Sequence, residues 1–160
     1  MEIERKWVLD APPDGLGEHE HERVEQGYVA LDDHAEVRVR RKGGKHTLTI
    51  KSEPGLSRVE EELAIEPERF DALWALTEGR RVVKTRHLVP LGDDLTAEVD
   101  VYEGPLAGLV TAEVEFDSED ASRAFDPPAW LGREVTGDPR YANRALAVNG
   151  PVPSDAPGSR

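Results

Sequence analysis

Apolar and polar residues alternate one for one over much of the chain, the signature of half-buried β-strands. Ile3, Arg5 and Trp7 interleave with Glu2, Glu4 and Lys6, Val37 and Val39 with Arg38 and Arg40, and Leu48 and Ile50 with Thr47, Thr49 and Lys51. The same rhythm sets Val59, Glu61 and Leu63 against Arg58, Glu60 and Glu62, and places Lys84 and Arg86 on either side of Thr85. Ala97, Val99 and Val101 alternate with Glu98 and Asp100, and Ala112, Val114 and Phe116 with Glu113 and Glu115. With the stretch Gln26 to Leu31 this makes about eight strands, a number at which a barrel closes with little interior to spare. Gly43-Gly44 predicts a tight hairpin, and Gly92-Asp93-Asp94 and Glu53-Pro54-Gly55 predict further turns. Helical spacing of Phe70, Leu73 and Trp74 predicts a helix over Pro67 to Thr77; Ser118 predicts the cap of a short helix from Glu119 to Phe125, and Asp138-Pro139 the start of one running to Ala147. From Asn149 to Arg160 the chain is rich in Pro, Ser and Gly without apolar periodicity and reads as a disordered tail, leaving one domain over residues 1–148.

One face of these strands is mostly apolar, and the other collects acids and bases sorted by sign. Glu2/Glu4, Glu60/Glu62, Glu98/Asp100 and Glu113/Glu115 are like-charged pairs on one face, as are Arg38/Arg40 and Lys84/Arg86. Such neighbours lie roughly 6.5–7 Å apart along a strand. A wet face of an open antiparallel sheet is the plain alternative. A surface serving only solubility would intersperse its signs, because adjacent like charges repel. Grouped carboxylates suit divalent cations, and grouped Arg and Lys suit phosphate oxygens. The expected architecture is therefore mainly β with peripheral helices (α+β): an eight-stranded closed antiparallel β-barrel, a tunnel with a charged interior and the helices outside.

Composition narrows the partners. The chain has 160 residues and a formal net charge of −13, which argues against a general nucleic-acid binder. It contains no cysteine, so disulfides, zinc–thiolate sites and thiol nucleophiles are excluded. No apolar run approaches a membrane span, and the N-terminus has no signal-peptide character, so a cytoplasmic protein with no membrane partner is expected.

The opening Glu2-Ile3-Glu4-Arg5-Lys6 fits the Glu-x-Glu-x-Lys signature of the CYTH superfamily, the triphosphate tunnel metalloenzymes. Further strings resemble its small bacterial members: Glu25-Gln26-Gly27-Tyr28, Val37-Arg38-Val39-Arg40-Arg41-Lys42, Leu48-Thr49-Ile50-Lys51 and Lys84-Thr85-Arg86. So do Glu98 to Gly104, Ala112-Glu113-Val114-Glu115 and Leu131 to Gly137, in order along nearly the whole chain. The resemblance implies an eight-stranded tunnel and dependence on Mg²⁺ or Mn²⁺. It implies metal-binding carboxylates at Glu2, Glu4, Glu98, Asp100, Glu113 and Glu115. Substrate-binding bases are implied at Lys6, Arg38, Arg40, Lys51, Lys84 and Arg86, with Arg133 at one tunnel mouth; Lys6, Arg40, Lys84 and Glu115 are the candidates for catalysis.

The expected activity is hydrolysis of inorganic tripolyphosphate to pyrophosphate and phosphate by a monomer or homodimer. A tunnel full of charge without an aromatic or apolar base pocket suits a ligand that is all phosphate. The rivals are an organic triphosphatase acting on thiamine triphosphate or a nucleotide, a class IV type adenylate cyclase, and a noncatalytic polyphosphate or nucleotide sensor. Cyclase-like relatives often carry a His-Phe pair upstream of the signature, which begins here at residue 2. Lys42-Gly43-Gly44-Lys45 lacks the spacing of a phosphate loop and is read as a hairpin. His19-Glu20-His21 and the acidic run Glu18 to Glu25 are read as solvated, and Trp7, Trp74 and Trp130 as packing residues. Arg58 is read equally as a surface or a tunnel charge, and Tyr141 and Asn143 as packing of the C-terminal helix.

Overall fold

The structure, a computed structural model, describes residues 3–52 and 59–153. Glu2, Arg58, the Glu53-Pro54-Gly55 turn and the last seven residues of the expected tail lie outside that description. The strands are β1 (Ile3–Val8), β2 (His21–Leu31), β3 (Ala35–Lys42), β4 (Lys45–Ser52), β5 (Glu60–Ala64), β6 (Arg81–Gly92), β7 (Leu95–Tyr102), β8 (Val110–Phe116) and β9 (Arg133–Glu134). They form one antiparallel sheet in the order β5-β4-β3-β2-β6-β7-β8-β1-β9. The helices are α1 (Pro67–Trp74), α2 (Glu119–Ala124) and α3 (Asn143–Asn149). Ser118 caps α2 by accepting from the Ala121 amide, and α1 continues as a 3-10 turn to Thr77, both as expected.

The alternation is borne out by the register. Arg38 faces Tyr28 on one side and Thr49 on the other, Asp100 faces Arg86 and Thr111, and Glu113 faces Glu98 and Lys6. Directly paired residues share a face, so the charged positions fall on one side of the sheet. The opposite side carries a core of Trp7, Val99, Ala112, Val114, Phe116 and Leu131, on which Phe125 packs beyond α2. Both hairpins between long strands form: Gly43 takes φ 58, and Asp93 and Asp94 take φ 53 and 61 between β6 and β7.

Two features of the expected barrel are corrected. Among the described residues nine strands form rather than eight, and their sheet does not close. The outer edge of β1 is already taken: β9 pairs with Trp7 and Val8, and the Val135 amide donates to the Lys6 carbonyl. Arg5 locks that segment with a two-pronged contact to Glu134 (3.0 and 2.7 Å) while donating to the Ser122 and Phe125 carbonyls near α2. At the other edge β5 is five residues long and exposed throughout, with three consecutive glutamates that discourage edge pairing. The sheet nevertheless curls. β3 and β1 are five places apart in it, roughly 24 Å if it were flat, yet Arg38 and Lys6 line one cleft. The result is a trough.

The helices are not all outside. α1 covers the outer face, where Phe70 stacks on Trp74 and meets His46 and Arg41. α3 instead packs on the inner face: Leu146 and Ala147 join Val8, Tyr28, Val82 and Tyr102, which share parity with the charged residues. That apolar floor blocks one end of the trough. Val152 is buried in the same cluster, and α3 runs through Asn149, so part of the stretch read as disordered is packed. The acidic run is likewise partly structural, since Glu25 lies in β2 and holds Arg41 at 2.6 Å.

Arg41 and Arg40 are on opposite faces, as the alternation requires. Arg41 grips Glu25 through Nε and Nη2 and lies 5.0 Å from the Phe70 ring. If the expected tripolyphosphatase activity holds, Arg41→Ala is expected to leave KM within about twofold of wild type and to cost about 1 kcal/mol of stability through the lost contact with α1. Thermal unfolding beside steady-state kinetics checks both halves. A KM rise equal to that of Arg40→Ala would mean that the register of β3 is wrong.

Candidate active site

The trough holds two clefts. One, of about 560 Å³, is lined by Glu4, Lys6 and Glu113 from β1 and β8, by Glu36, Arg38 and Lys51 from β3 and β4, and by the segment from Val135 to Arg144. This is in the size range of small-ligand sites. The other, about 360 Å³, lies at the β3–β4 hairpin and is lined by Glu22, Arg40, Lys42, Lys45, Thr47 and Glu62. Of the expected site residues, Glu4, Lys6, Arg38, Arg40, Lys51 and Glu113 line these clefts, with Arg38 and Arg40 in different ones, while Lys84, Arg86, Glu98, Asp100, Glu115 and Arg133 line neither.

Acids gather on β1, β7 and β8. Glu4 faces Glu115 across the β1–β8 ladder, and Glu98 faces Glu113 across β7–β8. A hydrogen bond shared with Glu113, burial and the charges of Glu113 and Glu115 push the Glu4 carboxyl up to about 7, against the opposing pull of Lys6. Carboxylates this close retain a proton because they cannot all ionise without a cation. Their oxygen-only donor set is of the kind hard divalent cations take. Among the described residues no three Asp, Glu or His side chains converge as a complete metal site. Glu2, the remaining acid of the opening signature, lies outside those residues.

This cluster makes a pH prediction. A carboxyl raised above its unfolded value of 4.5 keeps in the fold a proton that the unfolded chain has already lost. Its contribution is fully present below about 4.5 and is lost progressively as pH rises from there through about 7. Metal-free protein is expected to lose more thermal stability between about pH 5 and about pH 7 than Glu4→Gln does, and Mg²⁺ or Mn²⁺ to restore it at the upper end. Parallel pH profiles for the two proteins would contradict this coupling.

Bases gather on β3, β4 and β6. Arg38 lies 3.4 Å from Glu36, and Lys51 lies 3.6 Å from Glu60. Arg40 is half-buried, and no hydrogen bond or ion pair joins it to another described residue. Burial and the like charges of Arg38 and Arg86 lower its proton affinity. Lys6 donates to the Tyr141 carbonyl at 2.7 Å. Lys84 is deep in the floor, 2.8 Å from Asp100 and 3.3 Å from Asn143 Oδ1, and it lines neither cleft. Asp100 also receives Arg86 through Nε and Nη2, at 2.9 and 3.0 Å. Arg133, on β9, is outside the cleft lining and donates to Tyr141 Oη at 3.1 Å.

Four residues that line the larger cleft stand outside the expected set of site residues. Glu36, only 8% exposed, sits between Arg38 and Arg144 and shares the parity of Arg38 and Arg40, so its position was legible. Asn143 and Arg144 reach the trough only because α3 packs inside it, for which the chain carries no periodic signal. Tyr28, ahead of the β2 irregularity, lines the cleft beside Arg38. No helix among the described residues is long and apolar enough to cross a membrane.

The chain is similar to an inorganic triphosphatase of Nitrosomonas europaea, at 48% identity over 151 residues, covering 94% of this chain and 99% of that one. It is similar to an inorganic triphosphatase of Acetivibrio thermocellus at 42% identity over 126 residues, 78% of this chain and 79% of that one. A solved crystal structure of an inorganic triphosphatase superposes with a TM-score of 0.80 at 45% identity, covering 92% of this chain and 95% of that one. The CYTH domain model matches residues 1–141, and the chain belongs to the CYTH domain family.

Proposed function

We propose that this chain is a metal-dependent triphosphatase that hydrolyses inorganic tripolyphosphate to pyrophosphate and phosphate. The observation that carries the reading is the separation of sign within one trough. Glu113 and Glu115 hold the Glu4 carboxyl well above its usual range, while burial and the like charges of Arg38 and Arg86 outweigh the pull of Glu62 and Glu22 on Arg40. A polyphosphate chelating a divalent cation satisfies both halves at once. The names of the two similar curated proteins support the same substrate.

In this reading Glu4, Glu113 and Glu115, with Glu2 and Glu98, hold Mg²⁺ or Mn²⁺. The cation when bound neutralises charge on the phosphoryl oxygens. Lys6, Arg38 and Lys51 meet the substrate in the larger cleft, and Arg40 and Arg86 take the oxygens further along the trough. Lys84 supplies positive potential from the floor, and Arg133 supports the mouth through Tyr141. Fixed cations of this kind lower the barrier by stabilising charge that builds on transferring and leaving phosphates. The larger cleft is walled by charged and backbone groups and by Tyr28 and Tyr141, both buried to 1% exposure, so it offers no open aromatic face to a base or thiamine ring.

Initial rates of phosphate release from tripolyphosphate, ATP, GTP and thiamine triphosphate test the substrate. Tripolyphosphate is expected to give the highest kcat/KM; a higher value for any organic triphosphate would reassign it.

A further inference from the structure

The acids of the trough do not all have the same work. Asp100 is 4% exposed, and both of its oxygens are engaged from within the protein. Oδ1 accepts from Arg86 Nε at 2.9 Å; Oδ2 accepts from Arg86 Nη2 at 3.0 Å and lies 2.8 Å from Lys84 Nζ. A carboxylate offers about four acceptor sites, and these contacts use three of them. Lys84 is satisfied too: its ammonium meets Asn143 Oδ1 at 3.3 Å and lies 5.4 Å from the Tyr102 ring, with its side chain 4% exposed. Arg86 differs. Its Nε and Nη2 are held by Asp100, while Nη1 lies 3.3 Å from Glu98, whose side chain is 29% exposed.

A two-pronged carboxylate contact fixes the plane of a guanidinium, and removing one partner of a buried pair leaves the other uncompensated. We propose that Asp100 is a positioning residue, which neutralises Lys84 and fixes Arg86 so that Nη1 is presented to the polyphosphate, and that it is not a ligand of the metal. This rests on the triphosphatase reading. It divides the acids of β7 and β8: Glu113 lines the larger cleft, Glu98 is partly exposed with a single contact to Arg86 Nη1, and Asp100 is committed to the bases.

The test is a pair of titrations on Asp100→Asn, one in tripolyphosphate at saturating Mn²⁺ and one in Mn²⁺ at saturating tripolyphosphate. The expected result is a rise in KM of roughly tenfold or more, from misplacement of Arg86, with half-saturation by Mn²⁺ within about twofold of wild type. In the Arg86→Gln background the same substitution is expected to add little to KM, since its target is gone. Asp100→Glu keeps the charge but displaces the carboxylate, and carries the same expectation if the amide variant does not fold. A Mn²⁺ requirement raised as far as in Glu113→Gln would make Asp100 a metal ligand and overturn the proposal. Unchanged KM and unchanged Mn²⁺ dependence would overturn it equally. Wild-type turnover in the same assay reports separately on the triphosphatase reading: an inactive wild type sinks that reading, whatever Asp100 does.

Discussion

Glu4→Gln is expected to lower kcat/KM for tripolyphosphate by at least about a hundredfold, on the order of 2.7 kcal/mol of transition-state stabilisation. The fold should survive. The Glu4 carboxyl, pushed up to about 7, is partly protonated near neutral pH, and the amide is a close copy of that protonated acid. What the amide lacks is the ability to ionise when a cation arrives. The metal concentration at half-maximal rate should therefore rise steeply while the metal-free melting temperature stays at or above the wild-type value. Glu115→Gln, at the position facing Glu4, should behave similarly. A variant that keeps wild-type metal dependence would remove β1 from the metal site.

Arg40 carries the second large effect. Arg40→Ala is expected to cost about 1.5–3 kcal/mol for one charge-assisted contact, roughly tenfold to a hundredfold or more in kcat/KM. Arg40→Lys should recover little, because an ammonium cannot reproduce the planar guanidinium fork. The cost should fall on function and not on folding. Arg40 has no ion pair with another described residue to lose, and its burial and repulsion from Arg38 and Arg86 outweigh its attraction to Glu62 and Glu22. A melting temperature equal to or above wild type, together with weakened substrate binding by calorimetry, is the expected pattern. A large loss of stability with unchanged binding would make Arg40 a structural residue.

Much of this arrangement could be read from period-two alternation, and the places where reading failed have physical causes. Alternation states which side of a strand a residue occupies, and Arg38, Lys84, Asp100 and Glu113 are on the side expected. It does not state which edges pair. Closure failed because a two-residue strand, Arg133–Glu134, occupies the edge of β1, and a segment that short leaves no periodic trace. Alternation also marked Val8, Val82 and Tyr102 as inward, with the parity of Lys6 and Lys84. Grouping the charges hid that apolar floor, and with it the reason α3 lies inside. The roles of Lys84 and Asp100 depend on depth along the trough, which side-chain parity cannot supply. Asp100 and Glu98 are equivalent in the pattern, yet one is buried between two cations and the other is within reach of solvent.

The central claim is that the trough hydrolyses a triphosphate with the help of a cation held by carboxylates. It is tested most directly by following tripolyphosphate with purified protein in Mg²⁺ or Mn²⁺, quantifying phosphate and pyrophosphate, and repeating the reaction in excess EDTA. The account predicts equal amounts of the two products with either or both cations, and a rate that falls to background on chelation and returns when metal is added back. Tight, metal-dependent binding of tripolyphosphate without any phosphate release would make the protein a sensor, and turnover that persists through exhaustive chelation would contradict the role given to the carboxylates.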